Sequence, residues 1–310
     1  MTIEQHPLIV IDRVSQQPME EEVWGDWGLR LLYGESIASK TVGRFLLHTL
    51  FRWPVMSWAV GKYYDTKKSR QLIVPFCKRF HIRTSEHILP LDQFTSFNDF
   101  FTRRLRPECR KQDADPSIIT IPADGRYTII PVLNPCQELS VKSQSLCLDK
   151  LLGCKSLAAR FYGGTAVICR LCPADYHRFN FPISGKACGT SWIHGSLFSV
   201  NPVATSQFPW IFWTNRRAVT LIETEDAATI AYIEVGATNC GSIVQDFIPN
   251  SWVKKGQEKG FFRLGGSAII LLFEPNQVTI SEDLITLAQS GHEVLCKIGQ
   301  PLARISTKPL

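Results

Sequence analysis

Three polar residues stand in short motifs that can present a side chain for catalysis. They are Asp124 in the turn Pro122–Gly125, His177 in the run Asp175–Pro182, and Ser267 directly after two glycines. Serine supplies a nucleophile, and histidine and aspartate supply acid–base chemistry. Taken singly, each residue also has an ordinary structural explanation: a turn aspartate, a strand-end histidine bonded to a neighbour, and a serine after a tight glycine turn.

Several common kinds of site are missing from the sequence. It contains no nucleophile elbow of the form G-x-S-x-G, no phosphate-binding P-loop and no dinucleotide fingerprint, which excludes the usual hydrolase, kinase and dehydrogenase patterns. Cys169 and Cys172 have the CxxC spacing, but no second pair stands at the distance of a zinc site. We therefore expect no metal there, and two buried strand cysteines. No secretory signal opens residues 1–22, so we expect reduced thiols in a cytosolic compartment.

The elements that must position these residues fall into two parts of the chain with different sequence patterns. The chain has 310 residues, 45% of them apolar and 20% charged, which excludes disorder and coiled coil. The first 110 residues look helical, since apolar positions recur at helical spacing from Trp24 to Tyr64. Short apolar or β-branched runs separated by turns follow, and they predict strands. The runs are Tyr127–Val132, Thr165–Leu171, Arg217–Glu223, Ala228–Val235 and Ser267–Phe273.

This pattern predicts the α+β class: an N-terminal helical region at residues 1–93, followed by a β-rich catalytic domain at residues 94–310. The formal net charge is +6, and the stretch Lys62–Lys111 alone carries twelve Lys/Arg against five Asp/Glu. It follows Phe45–Val60, an apolar segment broken by Pro54 and too short to span a bilayer.

An aromatic, apolar helix next to lysines and arginines is typical of a segment that lies in a membrane interface. A helical layer on its own core, with a solvated basic face, explains the same pattern equally well. The basic stretch contains no recognised nucleic-acid module, so we expect no nucleic-acid partner.

Several motifs between about Phe94 and Phe273, taken together and in this order, resemble the phosphatidylserine decarboxylase family. The motifs are Phe97–Leu105 with Pro107, Pro122–Gly125, Asp175–Pro182, His194–Pro202, Asn215–Arg217, Val235–Ile243, and Lys255–Gly260 leading to Gly265-Gly266-Ser267. The longer N-terminal region looks like that of the family's membrane-associated bacterial form, which favours membrane contact.

The resemblance implies a proenzyme that cuts itself between Gly266 and Ser267. In the family the serine hydroxyl attacks the preceding carbonyl, the resulting ester undergoes β-elimination, and the new N-terminal residue becomes a covalent pyruvoyl group. That group acts as an electron sink when the substrate carboxylate leaves as CO2. Glycine before the serine permits the strained, exposed carbonyl that such an attack requires. Residues 1–266 would form the β chain and residues 267–310 the α chain.

The resemblance also assigns roles to the other site residues. In the family a histidine takes the serine proton and an aspartate, here Asp124, orients it. The position of that histidine falls on Asn180, which cannot usefully accept a proton at pH 7. Self-cleavage therefore needs His177, His194 or a positioned water as a substitute. Ala268 also stands where the family usually has threonine.

The family links its other motif histidine, here His177, to decarboxylation, and we expect His177 to protonate the substrate carbon with a pKa near ambient pH. His194 is a further candidate contact for the substrate. Phe179, Phe181 and Phe198 are candidates for an apolar path that admits the lipid.

The resemblance implies decarboxylation of phosphatidylserine to phosphatidylethanolamine by a peripheral protein on the cytoplasmic face of the cell membrane, with an anionic lipid substrate. We also expect a homo-oligomer. Two alternatives stay open at this point. The first is an uncleaved pseudoenzyme that binds anionic lipid, because Asn180 replaces the histidine. The second is a pyruvoyl-dependent decarboxylase of a soluble amino acid.

Overall fold

The computed structural model describes residues 8–22, 61–135, 146–226, 228–237, 243–264 and 267–306. Strands dominate these residues, and the helices among them are short. The strands are β1 (Ile9–Asp12), β2 (Pro18–Glu20), β3 (Ile118–Thr120), β4 (Gly125–Ile130), β5 (Thr165–Leu171), β6 (Arg178–Asn180), β7 (Gly185–Ala187), β8 (Ser191–Ile193), β9 (Arg217–Glu223), β10 (Thr229–Gly236), β11 (Ile243–Gln245), β12 (Ser251–Val253), β13 (Glu258–Phe262), β14 (Ser267–Phe273), β15 (Val278–Ile280), β16 (Glu293–Cys296) and β17 (Pro301–Ile305).

The α-helices are α1 (Ile73–Arg79), α2 (Phe97–Phe101), α3 (Leu148–Leu152), α4 (Lys155–Ala159), α5 (Pro202–Thr205), α6 (Ile211–Thr214) and α7 (Glu282–Ala288). Short segments of 3-10 helix occur at Lys67–Leu72, Thr84–Glu86, Leu91–Gln93 and Pro107–Arg110. The mixed, mainly β composition agrees with the expected α+β class for this part of the chain.

A large sheet organises the molecule around strand β14. The strand order is β12-β7-β9-β10-β14-β5-β4-β16-β1-β2, with β8 also paired to β9. β14 is antiparallel to β10 on one side and to β5 on the other, and all seven of its residues are buried. Its side chains alternate between two apolar clusters, one on each face of the sheet. Because both faces are covered, the strand is a continuous apolar run, and its predicted bounds are confirmed.

Two small sheets flank the large one. The first has the order β11-β13-β6, and the second has the order β15-β17-β3. In the first, Asn180 of β6 lies opposite Glu258 of β13, and Phe179 lies opposite Gly260. This sheet therefore holds part of the Asp175–Pro182 motif against the Lys255–Gly260 motif, which is far away in sequence.

Residues 8–22 form an N-terminal arm that joins the large sheet. β1 pairs in parallel with β16, and β2 pairs with β1. Arg13 adds an ion pair to Asp283, with Nε 2.7 Å from Oδ2. The expectation that the beginning of the chain is helical is therefore wrong for residues 9–12 and 18–20. β1 depends on a partner some 280 residues away, which local periodicity does not reveal, and β2 joins the sheet only through β1.

The segment that follows residue 60 is helical and basic, as expected. Residues 61–64 and α1 are helical, and they pack with α2 in a cluster of apolar side chains. That cluster contains Ile73, Phe76, Cys77, Phe94, Phe97, Phe100, Phe101 and Leu264. It draws residues from both sides of the domain boundary expected at residues 93 and 94, and that boundary stays a prediction.

The apolar segment Phe45–Val60 lies outside the described residues, and so does most of the helical pattern from Trp24 to Tyr64. Among the helices that are described, none is long and apolar enough to cross a membrane. Seven lysines and arginines between residues 62 and 83 have exposed side chains, which gives this part of the chain a basic surface. These residues are Lys62, Lys67, Lys68, Arg70, Lys78, Arg79 and Arg83.

A buried ion pair fastens the small sheet that contains β13 to the large sheet. Lys259 and Glu234 are both fully buried, with Nζ 2.5 Å from Oε1, and Lys259 also donates to Gln245 Oε1 at 2.6 Å. Four aromatic rings surround the ammonium group at 4.8–5.9 Å from their centroids. The rings belong to Phe179, Phe181, Tyr232 and Phe247. Burial lowers the pKa of Lys259, and the charge of Glu234 opposes that effect.

Removing one member of this pair should destabilise the protein far more than removing both. Lys259→Met leaves the Glu234 carboxylate buried without its cation, and we expect a loss of about 3–5 kcal/mol in the free energy of unfolding. Replacing both residues, Lys259→Met with Glu234→Leu, puts apolar groups of similar size in their place and should recover most of that loss. Urea unfolding of the three proteins measures the difference. Equal losses in the single and the double variant would contradict the prediction.

Candidate active site

Ser267 is the first residue of β14 and is fully buried. Its backbone lies opposite Gly236 of β10 and Leu171 of β5, so the start of the strand is held on both sides. Within the described part of the chain, the Ser267 hydroxyl has no hydrogen-bond partner. A buried hydroxyl without a partner is costly, and such groups are concentrated at sites of chemistry. Gly266, the expected partner of Ser267 at the cleavage site, lies outside the described residues.

His177 is the second buried group with an unused atom. It has no exposed surface, and its ring lies 3.9 Å from the Phe101 ring between centroids. Nδ1 donates to the carbonyl oxygen of Asp175 at 3.0 Å, because a carbonyl can only accept. In a neutral ring Nε2 then carries the lone pair, and it has no partner among the described residues.

Burial lowers the pKa of His177 to about 3, and the positive charges of Arg103 and Arg126 act in the same direction. The hydrogen bond to Asp175 opposes the shift without reversing it. The imidazole is therefore neutral at physiological pH and can accept a proton at Nε2. The expected pKa near ambient pH is not what this buried environment produces in the uncut chain.

Asp124 is a buried carboxylate held by two cations. Arg110 donates to it through Nε at 2.9 Å and through Nη2 at 2.6 Å, and Lys297 Nζ lies 3.2 Å from Oδ2. The backbone amide of Ile298 donates to Oδ1 at 2.9 Å. Burial raises the pKa of Asp124, but Lys297, Arg110 and the amide together hold it below its usual value. Asp124 is thus ionised and fixed in orientation.

Asn180 ends β6 beside the turn that carries Asp124. Its backbone amide donates to the carbonyl oxygen of Pro122 at 2.8 Å. Position 180 therefore neighbours position 124 in the fold, which is the juxtaposition that the family pattern requires of its histidine and aspartate. The carboxylate of Asp124 itself contacts Arg110 and Lys297 rather than an imidazole.

Asn215 connects three of the sequence motifs. Its side chain is fully buried, donates to the carbonyl oxygens of Phe198 and Gly236 at 2.8 Å each, and accepts from the Phe198 amide at 3.0 Å. Gly236 is the residue opposite Ser267. A side chain at Gly195 would place its Cβ 2.1 Å from the carbonyl oxygen of Thr214, so only glycine allows this loop to approach.

The remaining candidate residues are distributed over the molecule. Phe179 and Phe181 are fully buried around Lys259, and Phe198 packs in the second core cluster with its ring 5.3 Å from that of Trp210. All three are therefore core residues in the uncut chain, and their contact with a lipid stays a prediction. His194 is exposed after β8.

Several charged residues near the site were not identified from the sequence as site residues. Arg103 and Arg110 belong to the basic stretch that we interpreted as a surface, yet Arg103 is buried and Arg110 points toward Asp124. Arg103 donates to the carbonyl oxygens of Ala174 and Asp175 at 3.3 Å each. Charge counts along a sequence do not distinguish an arginine that faces solvent from one that faces a buried carboxylate. The only signal available was their position inside or beside the Phe97–Leu105 motif.

Comparison with known proteins agrees with the motif pattern. The family model described as phosphatidylserine decarboxylase matches residues 97–304. A phosphatidylserine decarboxylase proenzyme of Chlamydia pneumoniae is 39% identical over 294 residues, which is 95% of this chain and 96% of the relative. Relatives with the same name occur in Chlamydia muridarum, 41% identical over 85% of this chain and 87% of the relative, and in Ruminiclostridium cellulolyticum, 38% identical over 96% and 98%. With the matched region extending from α2 to β17 and including Asp124, His177 and Ser267, the chain belongs to the phosphatidylserine decarboxylase family.

Proposed function

We propose that the chain is a proenzyme that cuts itself between Gly266 and Ser267 and then decarboxylates phosphatidylserine to phosphatidylethanolamine and CO2. The observation that carries the proposal is the buried hydroxyl of Ser267 at the beginning of the central strand β14, which has no hydrogen-bond partner among the residues that the structure describes. The family name and the word proenzyme in the names of the relatives support the same reading.

Self-cleavage requires only groups of this chain and water. The Ser267 oxygen attacks the Gly266 carbonyl carbon, and the peptide bond is replaced by an ester. Elimination then transfers the Cα proton of residue 267 to a base, breaks the bond between Cβ and the ester oxygen, releases the Gly266 carboxylate and leaves a dehydroalanine at position 267. Water converts that residue into a pyruvoyl group and releases ammonia. Serine is a weak nucleophile, so the first step needs a base for its proton.

We assign that base to His177. Among the described residues its Nε2 has no hydrogen-bond partner, so the lone pair is available to accept the proton, and burial keeps the ring neutral although the same lowered pKa makes it a weaker base than a free imidazole. The carbonyl of His177 accepts from the amide of Phe262 at 2.9 Å, which joins the histidine to the strand that leads toward Ser267. Asn180 replaces the family histidine but does not take over its proton transfer, since an amide is a poor base at pH 7. Asp124 and its two cations hold the turn beside position 180.

The residues present fit a pyruvoyl group at position 267. The oxygen at this position is buried and has no partner among the described residues, and His177 presents a second unused polar atom in the same interior. Once formed, the group supplies an electron sink for the electrons that the departing carboxylate leaves behind. His177 then moves the proton that the substrate carbon needs.

We also propose that the enzyme works at a membrane surface. Seven exposed lysines and arginines lie between residues 62 and 83, and the apolar side chains of Tyr63 and Val74 are 44% and 48% exposed beside them. Basic clusters of this kind are attracted to anionic lipids by about 1 kcal/mol for each Lys or Arg near the surface. The cytoplasmic face of the cell membrane, which carries such lipids, is the location we propose.

Mass spectrometry of the purified full chain tests the proposed maturation. We expect two chains, residues 1–266 and residues 267–310, with the shorter one beginning in a pyruvoyl group and therefore lacking a free amine. Ser267→Ala is the control and should remain a single chain. Carboxyl-labelled phosphatidylserine should release labelled CO2 only with the cleaved protein. An intact parent chain that binds anionic vesicles without releasing CO2 would identify the uncleaved lipid-binding alternative, and release from free serine alone would identify the soluble amino-acid alternative.

Substitution of His177 tests its role as the base. His177→Gln should slow self-cleavage by at least roughly 10²-fold, the usual contribution of a general base. Adding Asn180→His to that variant should restore much of the rate, because position 180 neighbours the Asp124 turn. His292→Gln, a change at an exposed histidine, is the control. Cleavage of His177→Gln at the parent rate would exclude His177 as the base.

Vesicle flotation tests the membrane surface. Lys67→Glu with Lys78→Glu should weaken binding to vesicles that contain phosphatidylserine by at least tenfold at physiological salt. Lys186→Glu with Lys254→Glu changes the net charge equally at two exposed lysines, one in β7 and one directly after β12, and it should leave binding close to that of the parent. Equal weakening in both double variants would show that net charge, not this surface, governs the binding.

A further inference from the structure

A continuous set of buried charged groups connects the N-terminal arm to the turn before His177. It begins at Glu21, whose side chain is 3% exposed. Glu21 Oε2 accepts from Arg126 Nε at 2.7 Å and from Arg170 Nη2 at 2.8 Å. Glu21 Oε1 accepts from Arg170 Nη1 at 2.9 Å and from the Cys172 thiol at 2.8 Å. One carboxylate of the arm therefore holds two arginines of the large sheet.

The set continues from Arg126 to the histidine. Arg126 Nη1 pairs with the carboxylate of Asp175. The same Asp175 oxygen accepts from the backbone amide of Cys172 at 2.7 Å, which fixes the turn between β5 and β6. The carbonyl oxygen of Asp175 accepts from His177 Nδ1 at 3.0 Å. Glu21 is thus connected to the imidazole through two residues and three hydrogen-bonded contacts.

The two arginines need an anion between them. Arg126 of β4 lies directly opposite Arg170 of β5, and the charge of Arg170 acts on Arg126 to lower its pKa. Glu293 contacts Arg170 but not Arg126, while Glu21 bridges both. Without the Glu21 charge, two buried guanidinium groups would repel each other, and Arg126 would lose the partner at its Nε. Asp175 would then be held by an arginine free to shift.

The carboxylate of Glu21 stays ionised in this environment. Burial raises its pKa, but the hydrogen bond and charge of Arg170 and the charge of Arg126 outweigh that effect and bring the pKa down to about 2. The ionised Glu21 bridge between Arg126 and Arg170 is therefore present at neutral pH.

We propose that Glu21 is a positioning residue for the chemistry at His177: by bridging Arg126 and Arg170 it holds the Asp175 turn, and through that turn it sets the orientation and tautomer of the imidazole. The inference rests on the proposed role of His177. It gives the N-terminal arm a function in catalysis, although the arm lies outside the region that the family model matches.

The arm has a second ion pair that serves as a control for its anchoring to the sheet, although the Asp283 side chain is 45% exposed and that of Glu21 only 3%. Arg13 donates to both carboxylate oxygens of Asp283, at 2.7 and 2.9 Å, and to the carbonyl oxygen of Pro301 at 2.6 Å. This pair also fastens the arm to the sheet, but it contacts none of Arg126, Arg170 or Asp175. Glu21→Gln and Asp283→Asn each convert one carboxylate of an arginine pair into an amide of the same shape.

Kinetics on the cleaved full-length enzyme distinguish positioning of His177 by Glu21 from simple anchoring of the N-terminal arm to the sheet. We expect Glu21→Gln to lower kcat for phosphatidylserine at least tenfold with KM within about twofold of the parent, because small displacements of a reacting group are costly. Asp283→Asn should leave kcat within twofold. Glu21→Asp, which keeps the charge on a shorter side chain, should recover part of the loss. Equal kcat values in Glu21→Gln and Asp283→Asn, or a loss confined to KM, would overturn the proposal.

A spectroscopic measurement tests the positioning without any catalysis. In the uncut Ser267→Ala chain labelled with ¹⁵N-histidine, the His177 ring signals are assigned by their loss in His177→Gln. Glu21→Gln should change the Nδ1 and Nε2 shifts toward a mixture of tautomers, whereas Asp283→Asn should not. Unchanged His177 signals in Glu21→Gln would overturn the positioning role. A changed signal in the Ser267→Ala background, together with a parent chain that releases no CO2 from phosphatidylserine, would instead leave the positioning intact and contradict the proposed function. Should Glu21→Gln fail to fold, Glu21→Asp gives the same two readouts with a smaller expected change.

Discussion

The burial of β14 between β10 and β5 is the constraint on which the rest of the molecule depends. Each neighbour pairs with all seven residues of the strand, beginning at Ser267. A peptide bond cut immediately before this strand leaves its backbone pairing untouched, because every paired residue lies after the cut. The two chains that we propose would therefore remain one folded unit. The new end of the shorter chain would start inside the protein, where Ser267 is fully buried in the uncut chain.

The same buried interior has opposite effects on the ionisable groups around it. Asp124 is surrounded by Arg110, Lys297 and a backbone amide, so it remains charged despite its burial. His177 is surrounded by aromatic carbon and by the positive charges of Arg103 and Arg126, so it remains neutral. Burial alone does not decide the charge of a group, since the partners that compensate for lost water decide it. The structure thus contains both a fixed anion and an uncharged base within one set of motifs.

Much of the central sheet could be predicted from the sequence because its strands are covered on both faces. Thr165–Leu171, Arg217–Glu223 and Ser267–Phe273 are continuous apolar or β-branched runs, and their bounds agree with the strands observed. The three-residue strands and the arm strands β1 and β2 could not be predicted in this way. Too few residues contribute for a period to emerge, and β1 reaches the sheet only through β16, which is about 280 residues away in sequence.

At the site, too, some residues can be identified from short sequence motifs, whereas others are brought in by contacts between segments that are distant in sequence. Motif order identified Asp124, His177 and Ser267, because each stands in a short pattern of its own. The groups that control them come from elsewhere: Lys297 follows β16, Arg110 lies in a 3-10 turn, and Glu21 is in the arm. When charges are only counted along a sequence, a charged residue contributes nothing but the sign of its charge. Its partner, and therefore its effect on a neighbouring pKa, is determined by the packing of segments that are distant in sequence.

The backbone and the charged groups around Asn180 show what this position does in the fold. The backbone of Asn180 still binds the Pro122 carbonyl, so β6 keeps its place beside the Asp124 turn although the imidazole is gone. The Asp124 carboxylate, with Arg110 and Lys297 as its partners, stays ionised without a histidine to orient. On the motif pattern, position 180 therefore lacks the proton acceptor expected there, while the framework that would hold one is present. On the proposed mechanism, His177, the histidine in the same motif, accepts the proton instead. The surrounding buried charges must then hold the imidazole of His177 in the correct position.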